Sequence, residues 1–476
     1  MREDKDSLKR VLGRVEIFAL AFGTMVGWGW VMLAGEWVRL AGAAGSILVF
    51  AAVAAMCVAV GLIYAELTSA FPLAGGELAF SYRGMGYAGS WITGWTVSLA
   101  YISVASWESI GLSIALHHLF PIAKAGYLWN IAGFDIYLSW SAAGMAGAVL
   151  LTVLNIIGVK QVAVFQMFSI LLLTVAGLIY AFGGFAFGRL SYAAPAFTDA
   201  AGMGTVLLMV PSMYIGFDMV AKSAEEMNIP LKHIAKVLVF SIVAAGAWYV
   251  IILFGTAIGA PADAVVPPAG ASADAVPVAD LAAYMYRSDI FAKLMICGGI
   301  FGIATSWNGF ILGASRILFA MGRAGMLPSV FGVLHPRYRT PAASIAFVGL
   351  ICCVSPLMGA HSLIWLVDVA AFGTVLTYLL ISLSYLMIRK NEPDLRRHYK
   401  IKRGRATGAA VVAGSAFFLL CCTPFSPIAR GRFEEWRIIL AWALLGVLLA
   451  VLRPRGHTDP ISAPRAHRNF FSDRSE

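Results

Sequence analysis

Two short stretches of the chain carry residues suited to binding a small polar molecule through peptide groups. Residues 23–30 read GTMVGWGW, and residues 211–218 read PSMYIGFD. Glycine has no Cβ atom, so the backbone at Gly23, Gly27 and Gly29 can leave the helical conformation and a ligand can approach it closely. Proline removes a helical hydrogen bond from the second stretch. Each stretch is therefore expected to break a helix and to leave N–H and C=O groups without helical partners.

These peptide groups could hold both ends of a zwitterion. A helix that starts near Gly29 directs its positive dipole end and free N–H groups toward a carboxylate. Carbonyls released at 21–24 and 213–215 are acceptors for an ammonium group. Glycines that only allow close helix packing are the alternative. The candidate substrate-binding residues are Gly23, Thr24, Met25, Val26, Gly27, Trp28, Gly29, Ser212, Met213, Tyr214 and Gly216.

Two acids lie inside apolar segments, where an ionisable side chain is costly and usually functional. Glu108 is interpreted as a proton carrier or as a counter-ion for a basic substrate. Asp218 is interpreted as a gate or proton site, with a hydrogen-bonded structural acid as the alternative. Together with Trp30, these two acids are the candidates for gating or proton coupling. For Trp30, simple packing against neighbouring helices is the alternative.

Two ion pairs are predicted near the ends of apolar segments. Glu66 is expected to pair with a loop base such as Arg83. Lys222 and Glu226 are four residues apart, a spacing that places both side chains on one helix face.

The elements that must position these residues are membrane spans. The 476 residues are 60% hydrophobic and 13% charged, with a mean hydropathy of +0.81, whereas soluble domains carry about 25% charged residues. A span needs roughly 20 apolar residues to cross about 30 Å of hydrocarbon. The predicted fold is an all-α membrane protein with 12 transmembrane helices, at 15–40, 44–70, 91–117, 136–157, 162–187, 204–224, 237–259, 288–318, 341–357, 362–388, 408–424 and 436–452.

The two interrupted stretches fall in the first and sixth predicted spans. Breaks at corresponding positions of two halves are typical of a transporter with an inverted repeat and a site near the membrane midplane. We therefore expect a 5+5 inverted repeat plus two extra helices. The expected segments are a cytoplasmic N-terminus (1–14), a first repeat of spans 1–5 (15–190), a second repeat of spans 6–10 (204–388), a basic cytoplasmic loop (389–406), spans 11–12 (407–453) and a disordered basic cytoplasmic tail (454–476).

Positive charge orients these spans. If the N-terminus is cytoplasmic, 27 of the 35 Lys and Arg residues lie in inside segments and 8 lie outside, which is the bias of the positive-inside rule. Both termini are thus predicted to be cytoplasmic, in a plasma membrane of the bacterial inner-membrane type. The net charge of +10 needs no nucleic acid to explain it.

Other chemistries find little support in the sequence. The six cysteines lie within predicted spans and have neither zinc nor redox spacing. No nucleophile–base pair, metal cluster or phosphate-binding glycine loop stands out, so an enzyme is not expected. No cofactor and no firm metal site are predicted, and the partners are the lipid bilayer, a small-molecule substrate and a possible coupling ion.

Four motifs in register resemble one known superfamily. Residues 64–77 (YAELTSAFPLAGGE) are similar to the end of span 2 in amino acid–polyamine–organocation transporters. The glycines of span 1, residues 215–230 (IGFD followed by AEEMNIP) and residues 308–341 resemble spans 1, 6 and 8 of the same superfamily. The match covers residues 13–341 in order. It implies an amino acid permease with a leucine-transporter-like fold and discontinuous spans 1 and 6.

Departures from this pattern bear on energetics and selectivity. Some proton-coupled members carry a lysine in span 5, where this chain has Leu172 and Leu173. Three modes of energy coupling remain open. Sodium could bind between spans 1 and 8, with Thr305 or Ser306 as a hydroxyl ligand; the other two modes are proton coupling and obligate exchange. Trp28 stands where the family more often has a small or aliphatic residue, and its indole could stack on a cation.

The resemblance implies a secondary active transporter, a symporter or exchanger, that moves amino acids across the plasma membrane by alternating access. Two alternatives stay open. The same fold could carry amines or polyamines, in which case no carboxylate is recognised. A transporter-like sensor would bind its ligand without moving it.

Overall fold

A computed structural model of the chain describes residues 13–72, 75–120, 123–131, 134–158, 162–222, 227–261, 276–428 and 433–452. The predicted tail and most of the predicted N-terminal segment lie outside these residues. The helices are α1 Arg14–Met25, α2 Gly29–Ala41, α3 Ala43–Ala70, α4 Gly76–Leu119, α5 Leu138–Ile157, α6 Val162–Phe187, α7 Ala200–Met209, α8 Met219–Lys222, α9 Ile234–Gly259, α10 Pro277–Tyr286, α11 Asp289–Arg323, α12 Ala342–Val354, α13 Ser362–Asn391, α14 Gly404–Cys421 and α15 Phe433–Val451.

The described residues form a helical, multi-pass membrane protein, as predicted. Nine helices are long and apolar enough to cross a membrane, counting Ala200–Lys222 as one, and α1 with α2 makes a tenth. The helix Ala342–Met358 is shorter than the other spans, and α15 begins with Glu434 and Glu435. The count of twelve therefore stays a prediction.

The first span is broken where its glycines predict a break. α1 ends at Met25, α2 begins at Gly29, and the two helices meet at an angle of 51°. Trp28, the residue before α2, makes no capping hydrogen bond through its side chain. Since the first N–H groups of a helix have no partner within it, the start of α2 faces the protein interior with donors to offer.

The sixth span is interrupted as well. α7 passes at Val210 into a 3-10 turn that ends at Tyr214. Ile215 is extended, and Gly216 has φ +127°, a conformation that side chains rarely adopt. The helix resumes at Met219. Pro211 within the turn explains why the α-helix is not continued.

The third span extends well beyond its predicted start. α4 has 44 residues, about 66 Å at the rise of an α-helix, which exceeds the thickness of a bilayer. Gly86, with φ +74°, breaks α4 into a short N-terminal arm and a longer part that could cross the membrane. The predicted span 91–117 corresponds to the second part alone.

Two elements correct the sequence-based expectations. The chain is not purely helical, because β1 (Tyr127–Ile131) and β2 (Phe134–Tyr137) form an antiparallel hairpin. The segment between the predicted spans 237–259 and 288–318, to which no helix was assigned, contains α10, which buries five apolar side chains against the bundle. The composition of this segment is typical of turns, so the sequence did not reveal the amphipathic face of α10.

The bundle is organised around α4, which packs along α13 and α11. α3 packs on α9, α11 packs on α6, and α5 packs on α12. The side chains of Phe50, Trp37 and Tyr249 pack against one another, tilted or edge-on, between α2, α3 and α9. These contacts hold the two broken spans at the centre of the protein.

The predicted partner of Glu66 is wrong. Its carboxylate accepts hydrogen bonds from Arg389 at 2.9 and 2.8 Å and lies 3.2 Å from Arg397. Arg83 instead pairs with Glu392 at 2.7 Å. Both corrections involve residues more than 300 positions apart in sequence, which local spacing cannot reveal.

Candidate functional site

The two breaks face one small cavity. No cavity-lining side chain is more than 5% exposed, so the cavity is closed to solvent on all sides. The lining residues are Thr24, Met25, Gly27, Gly29, Val104, Trp107, Glu108, Ser212, Met213, Tyr249, Ser306 and Phe310.

Gly27 lies directly against a buried acid. A Cβ atom at Gly27 would lie 2.8 Å from Oε1 of Glu108 and 2.7 Å from Oγ of Ser306. The hydroxyl of Ser306 donates to the same Oε1 at 2.6 Å. Oε2 of Glu108 is buried and has no hydrogen-bond partner among the described residues. The cavity thus holds a carboxyl group that lacks a cation.

The facing halves of the breaks touch each other. A Cβ atom at Gly29 would lie 2.7 Å from the sulfur of Met213, and one at Gly216 would lie 2.8 Å from the methyl group of Thr24. Ser212 donates to the carbonyl of Met209 at 2.5 Å, where α7 passes into the 3-10 turn. The structure therefore brings both sets of predicted site residues together.

Tyr249 ties the two breaks to each other, and sequence reasoning missed it. Its hydroxyl lies 3.0 Å from the carbonyl of Met25 and 3.3 Å from that of Met213. The carbonyl of Met213 is one of those expected to be released by the breaks, whereas that of Met25 lies one residue beyond the expected range 21–24. Nothing in the sequence of α9 distinguishes Tyr249 from an ordinary packed aromatic residue.

Trp28 and Trp30 point away from this cavity. The indole of Trp28 lies between two glycines, because a Cβ atom at Gly299 or Gly111 would fall 2.0 or 2.7 Å from it. Trp30 packs edge-on against Trp248, with ring centroids 5.7 Å apart. Both indoles are buried. In this conformation the two indoles pack beside the break and do not line the cavity.

Val26 and Tyr214 are buried beside the site but do not line it. The hydroxyl of Tyr214 donates to the carbonyl of Phe50 at 3.2 Å. Gly23 packs against Ile170 of α6. These residues position the breaks rather than contact the cavity.

The two candidate sodium ligands face different partners. The hydroxyl of Thr305 lies 3.4 Å from the carbonyl of Gly23 and 3.0 Å from that of Gly302, whereas Ser306 is bonded to Glu108. In the described part of the chain, no group of three or more His, Cys, Asp or Glu residues could hold a metal ion. A sodium site here remains a prediction.

Next to the cavity lies a second, ionic cluster. Lys222 is buried and donates to Asp218 at 2.9 Å and to Glu77. It also donates to the hydroxyl of Tyr101 at 2.7 Å. The ring of Tyr101 packs edge-on against Phe310, which lines the cavity. One aromatic layer therefore separates the cluster from the cavity.

The sequence pointed to Asp218 but not to its true partners. Glu226, the predicted partner of Lys222, lies outside the described residues. The spacing of Asp218 and Lys222, four residues apart, was a usable signal for their pair. Glu77 sits just after a glycine pair, and nothing local marks it as the third member.

Comparison with known proteins identifies the family of the chain. A model of the amino acid permease family matches residues 12–449, which is most of the chain. The branched-chain amino acid permease BcaP of Bacillus subtilis is 27% identical over 95% of this chain and 94% of its own length. The methylthioribose transporter of the same organism is 23% identical over 95% of both chains.

A plant relative is longer than this chain and matches it over a smaller share of its length. Cationic amino acid transporter 2 of Arabidopsis thaliana is 27% identical over 81% of this chain, which covers 61% of that relative. All three relatives are named as permeases or transporters, not as enzymes. The chain belongs to the amino acid permease family of integral membrane transporters.

Proposed function

We propose that the protein is a secondary active transporter that moves amino acids across the plasma membrane by alternating access. The observation that carries the proposal is that both helix breaks line one closed cavity. The substrate carboxylate binds the N–H groups at the start of α2, and the α-ammonium binds carbonyls of Met25 and Met213. Charge-assisted hydrogen bonds contribute roughly 1.5–3 kcal/mol each, enough to offset dehydration without preventing release.

Charge balance in the cavity favours a cationic amino acid. Glu108 is fully buried, and its second oxygen has no partner among the described residues. An unpaired carboxylate in a low-dielectric site costs several kcal/mol. A substrate with a basic side chain carries one net positive charge and neutralises Glu108. A neutral amino acid does so only if Glu108 also holds a proton.

Names of relatives support the substrate class. Several are cationic amino acid transporters, from Arabidopsis thaliana and Homo sapiens, whereas BcaP is named for branched-chain amino acids. The single acid in the cavity is the feature on which we choose the cationic class. Branched-chain substrates are the second candidate.

The packing of the helices supports the 5+5 repeat. Span 3 (α4) packs on span 10 (α13), and span 8 (α11) packs on span 5 (α6). Spans 2 and 7, 3 and 8, and 4 and 9 also pack pairwise. If each span is replaced by the span five positions away in the chain, the pair of spans 3 and 10 becomes the pair 8 and 5, and the other three pairs are unchanged. A two-fold pseudosymmetry between the repeats requires this result. The positive charges of the inside segments favour a cytoplasmic N-terminus, and an even number of spans would place both termini on that side.

Uptake into proteoliposomes tests the carrier proposal. Vesicles loaded with unlabelled arginine are expected to exchange it for labelled arginine in a saturable manner, and leucine and putrescine should compete poorly. Strong competition by leucine would favour the branched-chain candidate. Saturable binding of arginine without exchange, under any gradient, would leave a sensor rather than a carrier.

A further inference from the structure

The ionic cluster next to the cavity has an unequal number of charges. Among the described residues it holds two carboxyl groups, Glu77 and Asp218, and one ammonium group, Lys222. Their side chains are 0%, 5% and 1% exposed, so water does not screen them. If both carboxyl groups were ionised, the cluster would carry a net negative charge in a low-dielectric site, which is strongly unfavourable.

The hydrogen bonds indicate which of the two acids binds the proton that would remove the net negative charge. Both oxygens of Asp218 accept bonds, Oδ1 from the backbone N–H of Gly216 at 3.0 Å and Oδ2 from Tyr101 at 2.5 Å and Lys222. Glu77 differs, since its Oε1 accepts from Lys222 and Tyr64 but its Oε2 is buried with no partner among the described residues. A bare carboxylate oxygen in such a place is suited to a proton.

No other charged group in the described part of the chain balances this cluster. Its neighbours from the surrounding helices are hydroxyl and thiol groups that are neutral at ordinary pH. The titratable groups that face it are Cys57 and Tyr64 on α3, Tyr101 on α4 and Tyr378 on α13.

We propose that Glu77, Asp218 and Lys222 form a proton-binding site that couples proton movement to the opening of the inner side of the transporter. The proton resides on Oε2 of Glu77, which makes the closed cluster neutral. The proposal rests on the carrier function proposed above. It places the coupling ion outside the substrate cavity and in a part of the fold that the span 5 lysine of related transporters does not occupy.

The position of the cluster explains how a proton could control a gate. Lys222 ends the segment after the span 6 break, and Glu77 begins α4, so their contact closes the gap between these two elements. Asp218 also fixes Gly216 within the break. When Glu77 loses its proton, the buried net charge favours hydration of the cluster and separation of the elements. Proton release and inward opening then occur together.

Glu77→Gln tests the site, because glutamine imitates the protonated acid. In proteoliposomes, this variant is expected to retain exchange of internal for external arginine, which requires no net proton movement. Accumulation driven by an acidic exterior should be lost, and the rate of uptake should no longer depend on pH. Glu77→Asp, which keeps a titratable group, should recover proton-driven accumulation in part.

Glu392→Gln is the matched control. It neutralises an acid in the half-exposed pair with Arg83, away from the cluster, and should leave accumulation and pH dependence as in the wild type. The proposal is overturned if Glu77→Gln accumulates arginine as the wild type does. It is also overturned if a folded Glu77→Gln protein loses exchange and accumulation alike, since Glu77 would then be a structural residue.

Wild-type protein provides an independent measurement. Addition of arginine to vesicles containing a pH-sensitive dye should acidify their interior, and Glu77→Gln should abolish this signal. If arginine is exchanged without proton movement, or if a sodium gradient at constant pH drives accumulation instead, the proton site is wrong and the carrier function stands. If no exchange occurs at all, the carrier function itself has failed.

Discussion

Gly27→Val is expected to abolish substrate binding while the protein still inserts and folds. The valine side chain would lie where the peptide groups of the span 1 break meet the substrate carboxylate, since a Cβ atom already approaches Ser306 and Glu108 to within 3 Å. Loss of two charge-assisted bonds, at roughly 1.5 kcal/mol or more each, weakens binding about 100-fold or more. Isothermal titration of purified protein with arginine measures the change.

A second glycine provides the control for this substitution. Gly414 lies within α14, and the nearest atom to a Cβ placed there is the sulfur of Met56 at 3.8 Å. Gly414→Val should bind arginine as the wild type does. Both variants should elute as folded protein on size exclusion. Unchanged affinity in a folded Gly27→Val protein would refute the placement of the substrate at this break.

Glu108→Gln is expected to weaken transport of cationic amino acids selectively. The substitution keeps the shape of the side chain and removes the charge that balances a basic substrate. Replacing a charge-assisted hydrogen bond with a neutral one costs about 1 kcal/mol or more, so the apparent affinity for arginine should fall about fivefold or more. Affinity for leucine should change little or improve. Competition of labelled substrate by each amino acid gives both values.

Ser306→Ala separates charge from hydrogen bonding in this test. It removes the hydroxyl that donates to Oε1 of Glu108 at 2.6 Å and leaves the carboxyl group in place. The preference for cationic over neutral substrates should persist in this variant. If Glu108→Gln weakened the binding of arginine and of leucine equally, Glu108 would contribute to the structure of the site and not to its selectivity.

Features dictated by short stretches of sequence were predictable. The two breaks follow from Gly23 to Gly29 and from Pro211 to Gly216, because glycine and proline act on the backbone of their own segment. The apolar spans follow from composition, since hydrocarbon demands long apolar helices. Resemblance in four motifs then indicated the family before any geometry was known.

Features that depend on contacts between distant spans were not predictable. Tyr249 bonds to carbonyls from both breaks only after α9 has packed beside them. Lys222 reaches Glu77 across 145 residues, while its sequence neighbours suggested a local pair. Trp28 fits between Gly111 and Gly299, from two different helices. Spacing within one helix contains no information on such partners.

Competition by arginine analogues tests the central claim, that the facing breaks recognise both ends of a zwitterion. Agmatine lacks the carboxylate of arginine, and desamino-arginine lacks the α-ammonium group. Each analogue loses charge-assisted bonds worth about 1.5 kcal/mol or more, so each should compete with labelled arginine at least about tenfold more weakly than arginine itself. Competition by agmatine as strong as that by arginine would contradict the account and indicate an amine carrier.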